Sequence, residues 1–214
     1  MKFQVVSFMM LMVKRQTAMS KDSNFENMEP ESRSTFKPLV DEAGFLVDQD
    51  DISCQEITGN SLLILRVTKD SKKNIKAAKD IFNIKLPGPL QMTMRDSSLK
   101  CFWVSPDEFW VSLGAQQMLE IEEKSNNLPN GVSITNNSAA YGTLEFTGHK
   151  TIELLSRWMS YDLEAALPDG KAVSTTFGQA PVFVYREKKN IFMMVRHSFS
   201  HYVAGLIKDS AKRI

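Results

Sequence analysis

The chain has 214 residues, 43% of them hydrophobic and 24% charged, as in a soluble protein with one substantial domain or two small ones sharing a core. Its 26 basic and 25 acidic residues nearly cancel, so bulk charge does not predict a nucleic-acid-binding protein. Cys54 and Cys101 are too few for a disulfide-stapled secreted domain, which favours a reducing cytoplasm.

The first 37 residues are predicted to be an N-terminal extension, followed by one domain over residues 38–214. The apolar run Phe3–Val13 is too short for a transmembrane helix, which needs about 20 apolar residues. We favour translation beginning at Met19, followed by a polar tail that is disordered or loosely attached over residues 20–37. A signal peptide is the second interpretation, and a membrane span is the third.

Alternation of apolar residues and turn residues predicts the elements of the first half. Phe45–Asp51 is acidic and is predicted to be irregular, and Asp70 or Ser71 is the expected N-cap of the first helix. The predicted elements are a strand Ser61–Thr68, a helix with Ile75, Ala78 and Phe82 on its buried face, two strands within Leu99–Gly114 around the turn Ser105–Glu108, a helix Gln116–Glu123 and an extended run Val132–Asn136.

The stretch Tyr141–Met159 combines the two periodicities that build the domain. Leu144 and Phe146 share one face of a predicted strand, because residues two apart point to the same side of a sheet. After Gly148, apolar residues recur at helical spacing through Met159. The sequence therefore predicts a strand that feeds directly into a helix packed back onto it.

The second half repeats the order of the first. The predicted extended runs are Ala172–Phe177, Pro181–Arg186 and Ile191–Arg196, and a final amphipathic helix follows with Ser198 as its expected N-cap. Each half thus reads as strand, helix, strand pair and helix. This order predicts an α+β fold of two related βαββα (ferredoxin-like) units that share mixed or antiparallel sheets.

No catalytic constellation stands out among the polar residues. His197 and His201 are four apart on the predicted last helix, where they could share a metal, but no third ligand is evident and surface or capping roles are favoured. His149 is predicted to pack or cap. Asp107 and Glu108 are predicted to be solvated charges of a turn.

Several other features favour packing or solvation over chemistry. No serine or cysteine occupies a glycine-flanked elbow, and the glycines are too scattered for a dinucleotide or phosphate-binding loop. Lys72-Lys73 and Lys188-Lys189 are expected to be solvated pairs. The tryptophans are assigned to the core, and any that faces outward is an interface candidate; they are Trp103, Trp110 and Trp158. These residues argue against an enzyme with its own complete site.

Three longer stretches, spread over residues 36–211, carry a resemblance to a known family. They are LPGPLQ at Leu86–Gln91 with the following CFWVSPDEFWVSLG, then ITNNSAAYGTLEFTGHKTIELLSRWMSYDLE, and finally TTFGQAPVFVYREKKNIFMMVRHSFSHYVAGLIKDSA. In order and spacing they resemble the gamma subunit of heterotetrameric sarcosine oxidase. The chain departs from that pattern at Asn136-Asn137-Ser138, where an aspartate is usual, and at His197.

The resemblance implies a noncatalytic subunit with a fold related to folate-dependent aminomethyltransferases. The implied partners are alpha, beta and delta subunits, which carry FAD, FMN, NAD, tetrahydrofolate and zinc, and the implied location is the cytoplasm. No residue of this chain is assigned a catalytic, cofactor-binding or metal-binding role, and no membrane or nucleic-acid partner is implied. The alternatives are the gamma subunit of an N-methylglutamate dehydrogenase complex and a freestanding folate-binding or aminomethyltransferase-like protein.

The transferase resemblance can be checked at one segment. Those enzymes place an acidic residue in a glycine-rich stretch whose equivalent here is Phe177–Pro181, which contains no carboxylate. A related folate-binding family has a cysteine ahead of a Gly-Gln pair; Gly178-Gln179 is present, but the cysteine is not. Since general acid–base chemistry would have no agent there, we interpret the segment as a lost active site retained for packing.

Overall fold

The protein is described from a computed structural model, which covers residues 34–68, 71–96 and 98–214. The strands within these residues are β1 Phe45–Gln49, β2 Ile52–Ile57, β3 Asn60–Val67, β4 Met92–Asp96, β5 Leu99–Ser105, β6 Glu108–Gly114, β7 Val132–Asn136, β8 Tyr141–Thr147, β9 Ala172–Phe177, β10 Ala180–Glu187 and β11 Asn190–Arg196. The helices are α1 Lys72–Phe82, α2 Ala115–Ser125, α3 Thr151–Ser156, α4 Leu163–Ala166 and α5 Ser200–Ala211. Short 3-10 turns lie at Ser138–Ala140 and His197–Phe199.

The strands form two antiparallel sheets that pack face to face. The first has the order β1-β2-β8-β11-β10-β9 and the second the order β4-β5-β6-β3-β7. Helices α3, α4 and α5 cover the outer face of the first sheet, and α1 and α2 cover the outer face of the second. A core made only of strand residues lies between the sheets; it contains Leu62, Phe102, Trp110, Ala172, Phe183, Tyr185, Phe192 and Met194.

The two halves have the same topology, which confirms the predicted fold class. In the first half, β3 is followed by α1, the meander β4-β5-β6 and α2, and β7 then pairs with β3. In the second half, β8 is followed by α3 and α4, the meander β9-β10-β11 and α5, while β2 pairs with β8. The first-half meander contains a strand, β4, that the sequence did not predict.

In the stretch Tyr141–Met159 the predicted strand is confirmed, but the helix is shorter than predicted. Leu144 and Phe146 of β8 are both completely buried. Helix α3 ends at Ser156, so Met159 lies beyond it, although it remains buried in the same core. The final helix also differs, because α5 begins at Ser200 after the 3-10 turn and Ser198 is not its N-cap.

The folded domain begins earlier than predicted. Thr35 and Phe36 are buried, and Phe36 belongs to the core beneath the first sheet. The buried carboxylate of Glu56 accepts hydrogen bonds from the Ser34 hydroxyl and from the Thr35 N–H, the latter at 2.6 Å. Residues 34–37 are therefore part of the packed domain, and the prediction of a loosely attached tail is wrong for them.

A further correction concerns the N-terminal region. Phe45–Gln49 was predicted to be irregular but forms β1, the edge strand of the first sheet, paired with β2. The expectations for residues 1–33, including the start at Met19, lie outside the described residues. Within the described residues, no helix is long and apolar enough to cross a membrane.

The LPGPLQ stretch joins the two sheets. Leu90 adopts a left-handed backbone conformation with φ of 59°, which reverses the chain so that Gln91 bridges to Lys171. On either side of this bridge, the Met92 N–H donates to Gly170 O at 2.9 Å and the Ala172 N–H donates to Leu90 O at 3.1 Å. The stretch is thus a structural connection between the edge strands β4 and β9.

Ser71 is confirmed as the N-cap of α1, and its removal gives a first prediction. The Ser71 hydroxyl oxygen accepts from the Asn74 N–H at 3.2 Å. We expect Ser71→Ala to lower the free energy of unfolding by about 1 kcal/mol, because that N–H loses its partner. Urea denaturation followed by circular dichroism measures the change. Ser71→Asp, which retains an acceptor, is the control, and equal stability of the alanine variant and the wild type would contradict the assignment.

Candidate interaction surface

The segment that corresponds to the transferase acid is a closed turn. Phe177–Pro181 spans the end of β9 and the start of β10, with Gly178 at a φ of 58°. The Gly178 N–H donates to Trp158 O at 2.8 Å, and the Gln179 N–H donates to Tyr202 Oη at 3.1 Å. A Cβ on Gly178 would lie 2.5 Å from Tyr202 Oη, so α5 leaves no room for a side chain there. This geometry fits a packing role for the turn.

The same region carries exposed aromatic surface. Trp158 is 39% exposed and Tyr202 is 40% exposed, although the Trp158 indole N–H donates to the Ser210 hydroxyl at 2.9 Å. Leu206 packs beside Tyr202 next to Gly178. Trp158, Tyr202 and Leu206 together form a surface that we call the aromatic patch. Trp158 is therefore the outward-facing tryptophan that the sequence marked as an interface candidate.

The other tryptophans are more enclosed. Trp110 is buried between the sheets, where its ring contacts Tyr141 with centroids 4.9 Å apart. Its indole N–H donates to Glu108 Oε1 at 2.9 Å, and Glu108 also pairs with Arg66. Glu108 is therefore a half-buried structural carboxylate, so the expectation that it is simply solvated is wrong. Trp103 is half-buried against the core beneath the second sheet.

All three histidines are exposed. His197 lies in a 3-10 turn and not in the last helix, while His201 is in the first turn of α5; both are exposed. Within the described residues, no cluster of three histidine, cysteine, aspartate or glutamate side chains could hold a metal ion. His149 is 73% exposed, with Nε2 3.4 Å from a carboxylate oxygen of Asp51.

A shallow groove lies at the end of β3. Its charged lining residues are Arg66 and Asp107, whose side chains are more than half exposed and lie 3.6 Å apart. An exposed ion pair of this kind contributes little energy. The groove, with a volume of about 220 Å³, is lined by Arg66, Val67, Thr68, Asp107, Gly131, Val132 and Ser133.

A charged contact closes one edge of the space between the sheets. Lys100 of β5 pairs with Glu187 of β10, and its ammonium lies 4.9 Å from the ring centre of Phe192. Burial, with the nearby charges of Glu187 and Glu145, raises the pKa of Tyr185 well above its ordinary value. Tyr185 is therefore a neutral core residue at physiological pH, and the contact joins the sheets.

Both thiols are free and buried, which gives a second prediction. Burial raises the pKa of Cys101 to about 12 and raises that of Cys54 well above its usual range. Since the thiolate is the reactive species, we expect neither thiol of the native protein to react with DTNB at pH 8 within minutes. Both should react at once in guanidinium chloride, which serves as the control. Rapid titration of one thiol in native buffer would contradict this assignment.

The sequence model of the family described as "Sarcosine oxidase, gamma subunit family" matches residues 70–213, about two thirds of the chain. This chain belongs to the sarcosine oxidase gamma subunit family. The matched residues include all the strands and helices of both halves of the fold except β1, β2 and β3. A search of curated proteins found no match.

Solved structures agree on the fold of this gamma-family chain. It superposes on a chain of heterotetrameric sarcosine oxidase from Corynebacterium sp. U-96 with a TM-score of 0.72 and 19% identity, covering 85% of this chain and 95% of that one. It also superposes on the glycine cleavage system aminomethyltransferase T from Bartonella henselae, with a TM-score of 0.56 and 11% identity. The second match covers 75% of this chain but 46% of the transferase, so the gamma-family chain spans less than half of that enzyme.

Proposed function

We propose that this chain is the noncatalytic gamma subunit of a cytoplasmic heterotetrameric sarcosine oxidase. In this role it supports the assembly of alpha, beta and delta subunits, which oxidatively demethylate sarcosine and carry FAD, FMN, NAD, tetrahydrofolate and zinc. Membership of the gamma subunit family is the observation that carries the proposal. The alternatives, an N-methylglutamate dehydrogenase subunit and a freestanding folate-binding protein, have no separate observation in their favour.

The geometry of this chain supports the noncatalytic part of the proposal. The turn at Gly178 holds no carboxylate and packs against Tyr202, so it offers no acid at that position. The thiols of Cys54 and Cys101 are buried and have raised pKa values, which makes them poor nucleophiles. The aromatic patch is exposed, as expected of a surface that meets another subunit.

Affinity capture from cells that produce the full complex tests the assembly role. We expect the N-terminally tagged chain to retain three further subunits in equal amounts, together with bound flavin and sarcosine-dependent hydrogen peroxide production. A trimethoprim-resistant dihydrofolate reductase carrying the same tag is a suitable control for nonspecific capture. Recovery of the chain without any flavin-containing partner would overturn the proposal.

A further inference from the structure

Helix α1 carries a concentration of positive charge on its exposed side. Four of its 11 residues are lysines and one is an aspartate, whereas the whole chain has a formal net charge of +1. All four lysines are exposed on the outer side of the second sheet. We call this set the lysine stripe; it consists of Lys72, Lys73, Lys76 and Lys79.

The lysine stripe is electrostatically unfavourable within the described residues. None of its lysines forms an ion pair there. Lys76 is three or four residues from each of the other three, and residues at these spacings are neighbours on a helix surface. Like charges at such spacings repel and destabilise the helix. The stripe therefore weakens the helix that carries it.

The position of two of the lysines adds to this cost. Lys72 and Lys73 occupy the first turn of α1, which contains no acidic residue. A helix N-terminus carries a partial positive charge, so cations are disfavoured there and anions are favoured. The helix is instead held by the Ser71 cap and by its buried face, which includes Ala78 and Phe82. The lysines lie outside that face and bury no apolar surface of the helix.

We propose that the lysine stripe docks against an acidic surface of another subunit, an inference that rests on the function proposed above. Contact with carboxylates would convert the repulsion within the stripe into attraction across an interface. Complementary charge also accelerates association and selects the orientation of the partners. The stripe lies on α1, outside the second sheet, whereas the aromatic patch lies on α5 and the turn after α3, outside the first sheet.

The neighbouring helix favours a folded protein over a nucleic acid as the partner. Helix α2 contacts α1 and exposes Glu120, Glu122 and Glu123. A continuous phosphate backbone crossing this face would meet those carboxylates soon after leaving the lysines. A folded partner can instead place acidic residues against α1. It can leave α2 uncovered or contact it with basic residues.

Charge reversal tests the inference. We expect Lys72→Glu with Lys73→Glu to weaken retention of the tagged chain by the other subunits at least tenfold, with a lower salt concentration sufficient for its release. The matched control is Lys188→Glu with Lys189→Glu, which makes the same change of charge in the exposed turn between β10 and β11 and should leave retention unchanged.

A second measurement separates docking from folding. The same double substitution should raise the Tm of the free full-length chain by about 2–4 °C, because acidic side chains suit the first turn and Glu at position 72 faces Lys76. Higher stability with weaker association is a combination that a folding role would not produce. The subunit ratio after capture from cells reports association even where the free chain is not purified.

Three outcomes would overturn the inference. They are equal retention of the stripe variant and wild type, charge-dependent self-association of the chain in place of subunit binding, and lysine-dependent binding of duplex DNA. The proposed function fails in a different way, since the wild-type chain would then retain no flavin-containing subunit at all.

Discussion

Replacing Phe102 with alanine is expected to lower the free energy of unfolding by about 3–5 kcal/mol, the range for deleting a fully buried aromatic side chain. Phe102 lies in β5 of the second sheet and is completely buried. Its ring centroid is 5.5 Å from that of Phe183 and 4.7 Å from that of Tyr185, both in β10 of the first sheet. The substitution would leave a cavity between the sheets, which can collapse only if the sheets move.

Equilibrium denaturation in urea, followed by circular dichroism and tryptophan fluorescence, measures this loss. Leu119→Ala is the matched control, because Leu119 is 68% exposed on α2 and its truncation should change stability by less than about 0.5 kcal/mol. Similar losses for the two variants would mean that the sheets do not pack through Phe102.

Gly148→Ala is expected to lower the free energy of unfolding by about 2–5 kcal/mol, since it combines backbone strain with a steric clash. Gly148 links β8 to α3 with a φ of 100°, a conformation that L side chains rarely adopt. A Cβ at this position would overlap the carbonyl oxygen of Asp51 in the turn between β1 and β2. That turn is held there by the Lys150 N–H, which donates to Asp51 O at 3.2 Å.

Gly170→Ala separates the two contributions. Gly170 has a φ of 77°, but nothing lies within 4 Å of the position its Cβ would take, so only backbone strain of about 1 kcal/mol is expected. Thermal denaturation of both variants gives the comparison. Equal losses at the two positions would show that the turn at Asp51 does not pack against the start of α3.

The sequence predicted the strands and helices that have one buried apolar face and one polar face. In β8, Leu144 and Phe146 alternate with polar residues because one face of the strand meets the helices, so the period of two is visible. The missed strands are β1, β2 and β4. Of these, β1 and β4 are edge strands of five residues with charged members, whereas β2 lies inside the first sheet. Edge strands bury less surface on each face, so their sequences show little alternation.

The other differences between the predictions and the structure arise from contacts between residues that are distant in the sequence. Phe36 follows a polar stretch, and only its burial in the core and the hydrogen bonds from Ser34 and Thr35 to Glu56 reveal that its segment is packed. Glu108 seemed an ordinary turn residue because its partner Arg66 is 42 positions away. The sequence predicted Lys72 and Lys73 to be a solvated pair, but only the coordinates show that no lysine of the stripe forms an ion pair within the described residues.

The sequence predicted which catalytic group is missing from the candidate site, but it did not predict which aromatic residues are exposed there. The missing carboxylate near Gly178 is a property of the sequence, and the structure adds that Tyr202 closes the turn. The sequence could name three tryptophans but could not rank their exposure. Trp158 lies in the turn after α3, which ends at Ser156, and its exposure is visible only in the coordinates.

The central claim is that this chain supplies structure to an oxidase whose reactive groups lie on other subunits. Its most direct test is to purify the chain free of partners and measure flavin absorbance and sarcosine-dependent oxygen uptake, beside the same amount of the assembled complex. We predict that neither signal appears with the chain alone and that both appear with the complex. Bound flavin or turnover of sarcosine by the isolated chain would contradict the account.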